Sequence, residues 1–221
     1  MILQIEPWID ENEKKYLDRV VESTFVTEHE LTKEFETRIK NLTGSKHAIA
    51  ITNGTAAIYC CLLSLGIGPG DEVIVPNLTF VATANAVIMT GATPVLCDVS
   101  ASSMCIELEQ IKQVVTNKTK CIIPVHLFGN ASQMKKITEF AKENKIKIVE
   151  DAAQGVGVKV DDKHVGTFGD LGILSFYGNK TITCGEGGII LTDDDYLAKR
   201  CYQLKNHGRS KKGVFIHETI G

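Results

Sequence analysis

Short apolar runs alternate with helix-like stretches along most of the chain, and this alternation predicts the fold class. Two helix-like stretches come first, and Gly44 ends the second of them, residues 30–42. The apolar runs that predict strands are residues 48–52, 72–75, 94–99, 120–125, 145–150, 171–176 and 189–191. Strands that alternate with helices form βαβ units, and strands that are apolar on both faces belong to parallel sheets covered by helices. We therefore predict an α/β fold with a mostly parallel sheet sandwiched by helices.

The composition argues against several classes of function. Of the 221 residues, 43% are hydrophobic and 23% are charged, and the formal net charge of -3 provides no basic field that would attract nucleic acid. The seven cysteines and six histidines show none of the spacings of zinc sites, so we predict no metal site and reduced, mostly buried thiols. The chain shows neither a membrane-spanning apolar run nor the apolar stretch of a signal peptide. We expect a cytoplasmic protein with no membrane partner.

Polar side chains follow three of the predicted strands at the point where each strand ends. In open α/β sheets, ligands bind beyond the carboxyl ends of the strands, so these side chains are the first candidates for a site. The candidates, in chain order, are Thr55 with the preceding Gly54, then Asp151, Gln154, Ser175 and Lys180. We expect one cleft to hold all of them.

Lys180 is the candidate for covalent catalysis. It lies between two apolar runs, where a dry pocket would favour the uncharged amine, and an uncharged amine can attack a carbonyl. A solvated loop lysine is the alternative interpretation, and only the neighbouring candidates argue against it.

Gly54 and Thr55 open a helix directly after a strand. A helix start offers free N–H groups and the positive end of the helix dipole, which suit a phosphate, although an ordinary helix cap explains the same residues. No GxxxxGK[ST] or GxGxxG motif accompanies them, so ATP and NAD are disfavoured.

Asp151 ends an apolar strand, where a carboxylate needs a cationic partner. A protonated pyridine nitrogen would serve, and Gln154 could then reach a ring substituent while Phe80 stacks on the ring. A helix cap or ion pair remains the alternative for Asp151, and core packing for Phe80. Taken together with Lys180 and the helix start, these residues predict a pyridoxal phosphate site.

Five motifs in order resemble the DegT/DnrJ/EryC1/StrS family of nucleotide-sugar aminotransferases, which are fold-type-I pyridoxal phosphate enzymes. They are NGTAA at residues 53–57, DEVIVP at 71–76, GATPV at 91–95, EDAAQ at 150–154 and SFYGNKTITCGEGG at 175–188. The last is most similar to the perosamine synthase branch, which implies amination at C4 of a nucleotide-linked 4-keto-6-deoxyhexose. The resemblance divides the chain into an N-terminal helical segment, residues 1–24, and a cofactor-binding large domain, residues 25–221.

The resemblance also implies a role for each candidate. Lys180 would hold the cofactor aldehyde and then shuttle a proton, Asp151 would hold the pyridinium, Gln154 the ring hydroxyl, and Phe80 would stack on the ring. The phosphate ligands would be Gly54, Thr55 and Ser175. The family further implies pyridoxal 5′-phosphate as cofactor, an amino-acid donor, usually glutamate, and a homodimer with its cleft at the subunit interface. His126 and Phe128 match a recurrent family segment, and core packing is the role expected for both.

Two departures from the family pattern leave alternatives open. Family members continue beyond the equivalent of Gly221 into a small C-terminal domain, so we expect the chain to be C-terminally truncated. Residues 25–29 also lack the glycine-containing turn common in the family. A catalytically silent homologue that acts as a dimerisation or interaction partner is therefore the alternative function. Related sugar dehydratases carry histidine in place of the lysine, so Lys180 favours amino transfer.

Overall fold

The computed structural model describes residues 6–209, 213 and 215–221, which fold around one seven-stranded sheet. The helices are α1 Glu11–Ser23, α2 Glu30–Thr43, α3 Gly54–Ser64, α4 Ala82–Met89, α5 Leu108–Val114, α6 Met134–Asn144 and α7 Asp195–Lys205. The strands are β1 His47–Ile51, β2 Glu72–Pro76, β3 Thr93–Cys97, β4 Thr119–Ile122, β5 Lys147–Asp151, β6 Lys159–Val160, β7 Lys163–His164, β8 Leu171–Ser175 and β9 Gly188–Thr192. Each of the seven predicted apolar runs overlaps a strand of this sheet.

The sheet has the strand order β1-β9-β8-β5-β4-β2-β3, and β6 and β7 form a separate hairpin. Strand β9 runs antiparallel to both of its neighbours, and the remaining pairs are parallel. The exception follows from the connection between β8 and β9, which contains no helix. Without a crossover helix, the chain returns beside β8 in the opposite direction. The predicted α/β fold with a mostly parallel sheet is confirmed.

Helices cover both faces of the sheet. Successive strand residues point to opposite faces, so one strand contributes side chains to the cores on both sides. In β8, Ile173 packs into a core with side chains from α3, α4 and α7, whereas Leu174 packs into a core on the other face with Ile39 of α2. A third cluster joins α5 and α6 to that second face through Ile111 and Ile137. The sheet is therefore sandwiched by helices, as predicted.

Helix α1 differs from the other helices because it buries none of its residues. It ends at Thr24, whose φ of 62° lies in the left-handed region that a β-branched side chain rarely adopts. The predicted N-terminal segment, residues 1–24, contains this helix, and its first five residues lie outside the described part. The division of the chain into that segment and a large domain stays a prediction.

Two further expectations concern the cysteines and the membrane. All seven cysteines are free and six are buried, Cys184 being the exposed one, as the scattered spacing predicts. None of the helices in the described ranges is long and apolar enough to cross a membrane.

Candidate functional site

A pocket of about 480 Å³ opens where β1, β5 and β8 end. Ligand pockets commonly have volumes of several hundred cubic ångströms. All seven predicted site residues line it, namely Gly54, Thr55, Phe80, Asp151, Gln154, Ser175 and Lys180. The expectation of a single cleft is therefore met by the fold.

One wall of the pocket is the start of α3. Asn53 caps this helix, and its Oδ1 accepts a hydrogen bond from the Ala56 backbone N–H at 2.8 Å. Gly54 and Thr55, as the first two helical residues, carry N–H groups that have no partner within the helix. A Cβ atom on Gly54 would lie 3.1 Å from Ser175 Cβ and 3.3 Å from Ser175 Oγ, so the buried serine hydroxyl lies directly beside Gly54. Together, the N–H groups and the hydroxyl form the α3 cradle, which is suited to an anion.

Gly188 makes this cradle possible, although its position in the sequence predicted no role beyond ending the Lys180 segment. It pairs with Ile51 at the end of β1, and a Cβ atom on it would lie 2.6 Å from the backbone of Asn53. Any larger residue would push the turn before α3 away from the sheet. The paired glycines at residues 187–188 were the signal for this close approach.

Asp151 lies at the floor of the pocket, at the end of β5, and is 5% exposed. Its Oδ2 accepts a hydrogen bond from Thr83 Oγ1 at 2.8 Å, and its Oδ1 accepts one from the Ala153 N–H at 3.1 Å. The described residues place no basic side chain in a salt bridge with it. Neither an ion pair nor a helix cap therefore explains this carboxylate.

Thr83 contacts the candidate site through Asp151, and the sequence patterns did not indicate it. It lies in the first turn of α4, is fully buried, and points its hydroxyl at Asp151. Its Oγ1 also lies 3.2 Å from the Oγ1 of Thr79, which lines the pocket. The available signal in the sequence was a pair of threonines four positions apart, Thr79 and Thr83, on either side of Phe80.

Gln154 follows Asp151 in the turn after β5. Its Oε1 accepts a hydrogen bond from the Phe128 backbone N–H at 2.7 Å. Because that oxygen is engaged by a donor, the amide NH₂ is the group left for a ligand. The structure thus gives Gln154 the orientation of a hydrogen-bond donor.

Phe128 and His126 have different environments, although core packing was expected for both. Phe128 is 70% exposed and has a φ of 53°, so the expectation is wrong for it: the left-handed turn that presents its N–H to Gln154 turns the ring outwards. His126 is fully buried, where its Nε2 lies 3.0 Å from Glu150 Oε2.

Phe80 lies on the loop between β2 and α4 and is 68% exposed, which excludes the core-packing alternative. Its ring borders the pocket that Asp151 floors. An exposed aromatic ring at a pocket edge is available to stack on a planar ligand.

Lys180 lies at the edge of the pocket and is half-buried, which corrects the expectation of a fully dry site. Its backbone N–H donates to the Tyr177 carbonyl at 2.9 Å, which shapes the turn that carries it. Partial burial lowers the pKa of the Lys180 amine below its ordinary value, and the negative charge of Asp151 opposes this shift. The amine therefore loses its proton more easily than a solvated lysine.

A larger cavity of about 1080 Å³ lies between α1, α2 and the end of β1, and it contains none of the predicted site residues. Glu186 lines both cavities, so they lie next to each other. The segment of residues 25–29, which departs from the family pattern, forms part of the larger one.

Comparison with known proteins finds relatives over nearly the whole chain. The chain is 40% identical over 217 residues to the GDP-perosamine synthase of Escherichia coli O157:H7, and the match covers 98% of this chain and 60% of that protein. The structure of an aminotransferase from Psychrobacter cryohalolentis matches with a TM-score of 0.93 and 36% identity, covering 98% of this chain and 59% of the other. The structure of NtdA from Bacillus subtilis, solved with bound cofactor PMP, matches with a TM-score of 0.88 and 36% identity. The match covers 96% of this chain and 48% of the NtdA chain.

The chain thus spans 60% of the length of the curated relative. The sequence profile of one family matches residues 7–221, and it is the family that the five motifs indicated. The chain belongs to the DegT/DnrJ/EryC1/StrS aminotransferase family.

Proposed function

We propose that this chain is the cofactor-binding part of a nucleotide-sugar aminotransferase. The proposed reaction transfers an amino group from an amino acid, with glutamate as the donor, to C4 of a nucleotide-linked 4-keto-6-deoxy sugar. The relative named GDP-perosamine synthase supports a sugar of the perosamine type and a GDP carrier. The observation that carries the proposal is the convergence of Lys180, Asp151 and the α3 cradle on one pocket.

Pyridoxal 5′-phosphate is the cofactor of this family, and the prediction of that cofactor is confirmed. The residues of this chain fit the group in size and in donor chemistry. The cradle that a Cβ atom on Gly54 would fill accepts a phosphate, to which Gly54 N–H, Thr55 N–H and Ser175 Oγ can donate. A pocket of about 480 Å³ leaves room for the ring between this cradle and Lys180.

When bound, pyridoxal phosphate supplies an aldehyde that accepts amino groups and a ring that withdraws electrons. Asp151 would accept a hydrogen bond from the protonated ring nitrogen, and Gln154 would donate one to the ring oxygen from its free NH₂ group. Phe80 would cover one face of the ring and exclude water from it. Each of these roles matches the position and hydrogen-bonding capacity of the side chain.

Lys180 Nζ would hold the cofactor covalently and, once released by the donor, carry a proton to and from the substrate carbon. Both tasks need an amine that is uncharged for part of the cycle. Its lowered pKa, which partial burial causes, supports this role.

A homodimer is part of the proposal, because apolar side chains stand exposed on or near the segments that line the pocket. Five of them are at least 49% exposed: Phe80, Val81, Phe128, Tyr177 and Ile182. Large exposed apolar surfaces mark interaction sites, and we propose that a second copy of the chain covers these side chains.

An absorbance experiment tests the covalent role of Lys180. Purified protein mixed with pyridoxal phosphate should develop a visible band that Lys180→Ala abolishes. Lys142→Ala, which changes an exposed lysine on α6, is the matched control and should keep the band. If Lys180→Ala and the wild type give the same spectrum, the covalent role is refuted.

Turnover separates the enzyme from its alternative, the silent homologue. Protein loaded with cofactor would be incubated with glutamate and a GDP-linked 4-keto-6-deoxyhexose, and the product analysed by mass spectrometry and NMR. An amino group at C4 supports the proposal, and one at C3 would correct the regiochemistry. A Lys180-dependent band without any amino sugar would favour a silent, cofactor-binding homologue.

A further inference from the structure

The fully buried hydroxyl of Thr83 lies in the first turn of α4, next to the carboxylate of Asp151. Thr83 Oγ1 and Asp151 Oδ2 are 2.8 Å apart, although the residues are separated by 68 positions in the chain. A buried hydroxyl needs a partner, and a valine would fill the same volume without that requirement. The contact therefore joins α4 to β5 by a hydrogen bond that packing alone does not require.

The hydrogen-bond donors in this network are assigned from the Asp151 carboxylate at its end. A carboxylate accepts hydrogen bonds and has no proton to give, so Thr83 donates to Asp151. Its only proton is then in use, and the 3.2 Å contact with Thr79 must have Thr79 as the donor. The hydrogen bonds thus run in one direction, from Thr79 through Thr83 to Asp151.

This chain of hydrogen bonds connects two elements of the proposed cofactor site. Thr79 immediately precedes Phe80, whose ring borders the pocket, and Asp151 lies on the pocket floor. The second oxygen of Asp151 is held at 3.1 Å by the Ala153 N–H. Both carboxylate oxygens are therefore fixed, and the lone pairs that remain are free to face a ligand in the pocket.

Resting on the proposed function, we propose that Thr83 is a positioning residue: its buried hydroxyl holds the Asp151 carboxylate in the orientation that receives the ring nitrogen of pyridoxal phosphate. The role goes beyond packing, because the γ-methyl group of threonine would pack equally well as part of a valine. The hydroxyl alone supplies the orientation.

The test compares Thr83→Val, which removes the hydroxyl, with Thr83→Ser, which keeps it. The affinity of the full 221-residue chain for pyridoxal phosphate would be measured by titration, together with the pH midpoint of the visible band. We expect Thr83→Val to weaken binding by about 10-fold, as for loss of a buried hydrogen bond to a charged group. The pH midpoint of the visible band should rise. A misoriented Asp151 carboxylate would stabilise the protonated ring nitrogen less well, and a less protonated ring withdraws fewer electrons from the lysine nitrogen. Thr83→Ser should restore both values.

Thr43→Val is the matched control. Thr43 is also a buried helical threonine, but its hydroxyl donates to the Ile39 carbonyl at 2.8 Å, and it lines neither cavity near the site. It should change thermal stability and leave cofactor affinity and the pH midpoint as in the wild type. If Thr83→Val does not fold, Thr79→Val removes the first donor of the network and should weaken binding by about 2-fold.

Several results would overturn the inference. The first is a Thr83→Val protein with wild-type cofactor affinity and pH midpoint, and the second is a Thr83→Ser protein that is as impaired as Thr83→Val. If Thr83→Val does not fold, a Thr79→Val protein with wild-type affinity would also overturn the inference. These results leave the Lys180-dependent band intact in the wild type, so the proposed function would stand. Absence of that band in the wild type would instead refute the proposed function and this inference with it.

Discussion

His126 donates its Nε2–H to Glu150 Oε2 at 3.0 Å in a place where neither side chain is exposed to solvent. The direction of the bond is fixed, because His126 Nδ1 accepts from the Ser132 N–H at 3.3 Å. The two residues face away from the pocket that Asp151 floors, since Glu150 and Asp151 are neighbours in a strand and point to opposite faces. The segment before and after His126 is thereby tied to β5 beneath the site.

Glu150 should be one of the most sensitive positions of the fold. Its Oε1 accepts the N–H groups of Phe168 and Gly169, and its Oε2 accepts those of Gly166 and His126. We expect Glu150→Gln to lower the free energy of unfolding by about 2 to 4 kcal/mol, because its NH₂ group would face buried donors. Urea unfolding measures this, with the exposed Glu139→Gln as control. A change below about 0.5 kcal/mol would contradict the buried network.

Gly54→Ala should weaken phosphate binding without unfolding the protein. Its new Cβ atom would lie 3.1 Å from Ser175 Cβ, so the serine must shift by a few tenths of an ångström away from the N–H groups of α3. We expect affinity for pyridoxal phosphate to fall by about 10-fold, measured by titration of the visible band. Gly178→Ala is the control, since no atom lies within 4 Å of its added Cβ. Equal affinities of the two variants would show that the cradle does not bind the phosphate.

Lys180 should react as an amine of lowered pKa, and Asp151 should limit that shift. Partial burial lowers the pKa of Lys180, whereas the negative charge of Asp151 raises it. Asp151→Asn removes the opposing charge, so the amine should lose its proton at still lower pH. The pH dependence of acylation, followed by mass spectrometry of the Lys180 and Lys142 peptides, checks both statements. If the acylation of Lys180 follows the same pH dependence as that of Lys142, the lowered pKa of Lys180 is contradicted. If Asp151→Asn moves the acylation of Lys180 to higher pH, the opposing effect of Asp151 is contradicted.

The sequence predicted the sheet well because its signals are local. Each apolar run overlaps its strand, and Gly44 ends α2 in the left-handed conformation that a glycine permits. The direction of β9 was not predicted, because the run at residues 189–191 is equally apolar in either orientation. Periodicity reports burial and carries no information on strand direction.

The site was predicted as a set of residues and not as a network. Gly54, Asp151, Ser175 and Lys180 were found because strand ends converge at one edge of a parallel sheet. Thr83 and Gly188 were missed, because their importance comes from contacts with residues far along the chain. Phe128 was misassigned to the core, since an apolar side chain in a left-handed turn can face outwards.

His164 should make the fold sensitive to mild acid. Its ring is buried and neutral: Nδ1 donates to the Val165 carbonyl, and Nε2 accepts the Gly157 N–H at 2.8 Å. Burial is the main cause that lowers the pKa of His164 below its ordinary 6.5, and the hydrogen bond to the Val165 carbonyl and the charge of Glu150 oppose the shift. Protonation of Nε2 would place two donors against each other at Gly157.

The sign of the effect follows from proton binding. Below about pH 6.5 the unfolded chain takes up a proton that the folded chain does not, so stability falls as pH falls, by up to about 1.4 kcal/mol per pH unit, until the folded His164 also titrates. Urea unfolding between pH 8 and pH 5 measures this slope as a difference between wild type and His164→Asn, which should be the flatter. His207→Asn changes an exposed histidine and should retain the wild-type slope. Parallel curves for wild type and His164→Asn would mean that the buried ring does not govern acid sensitivity.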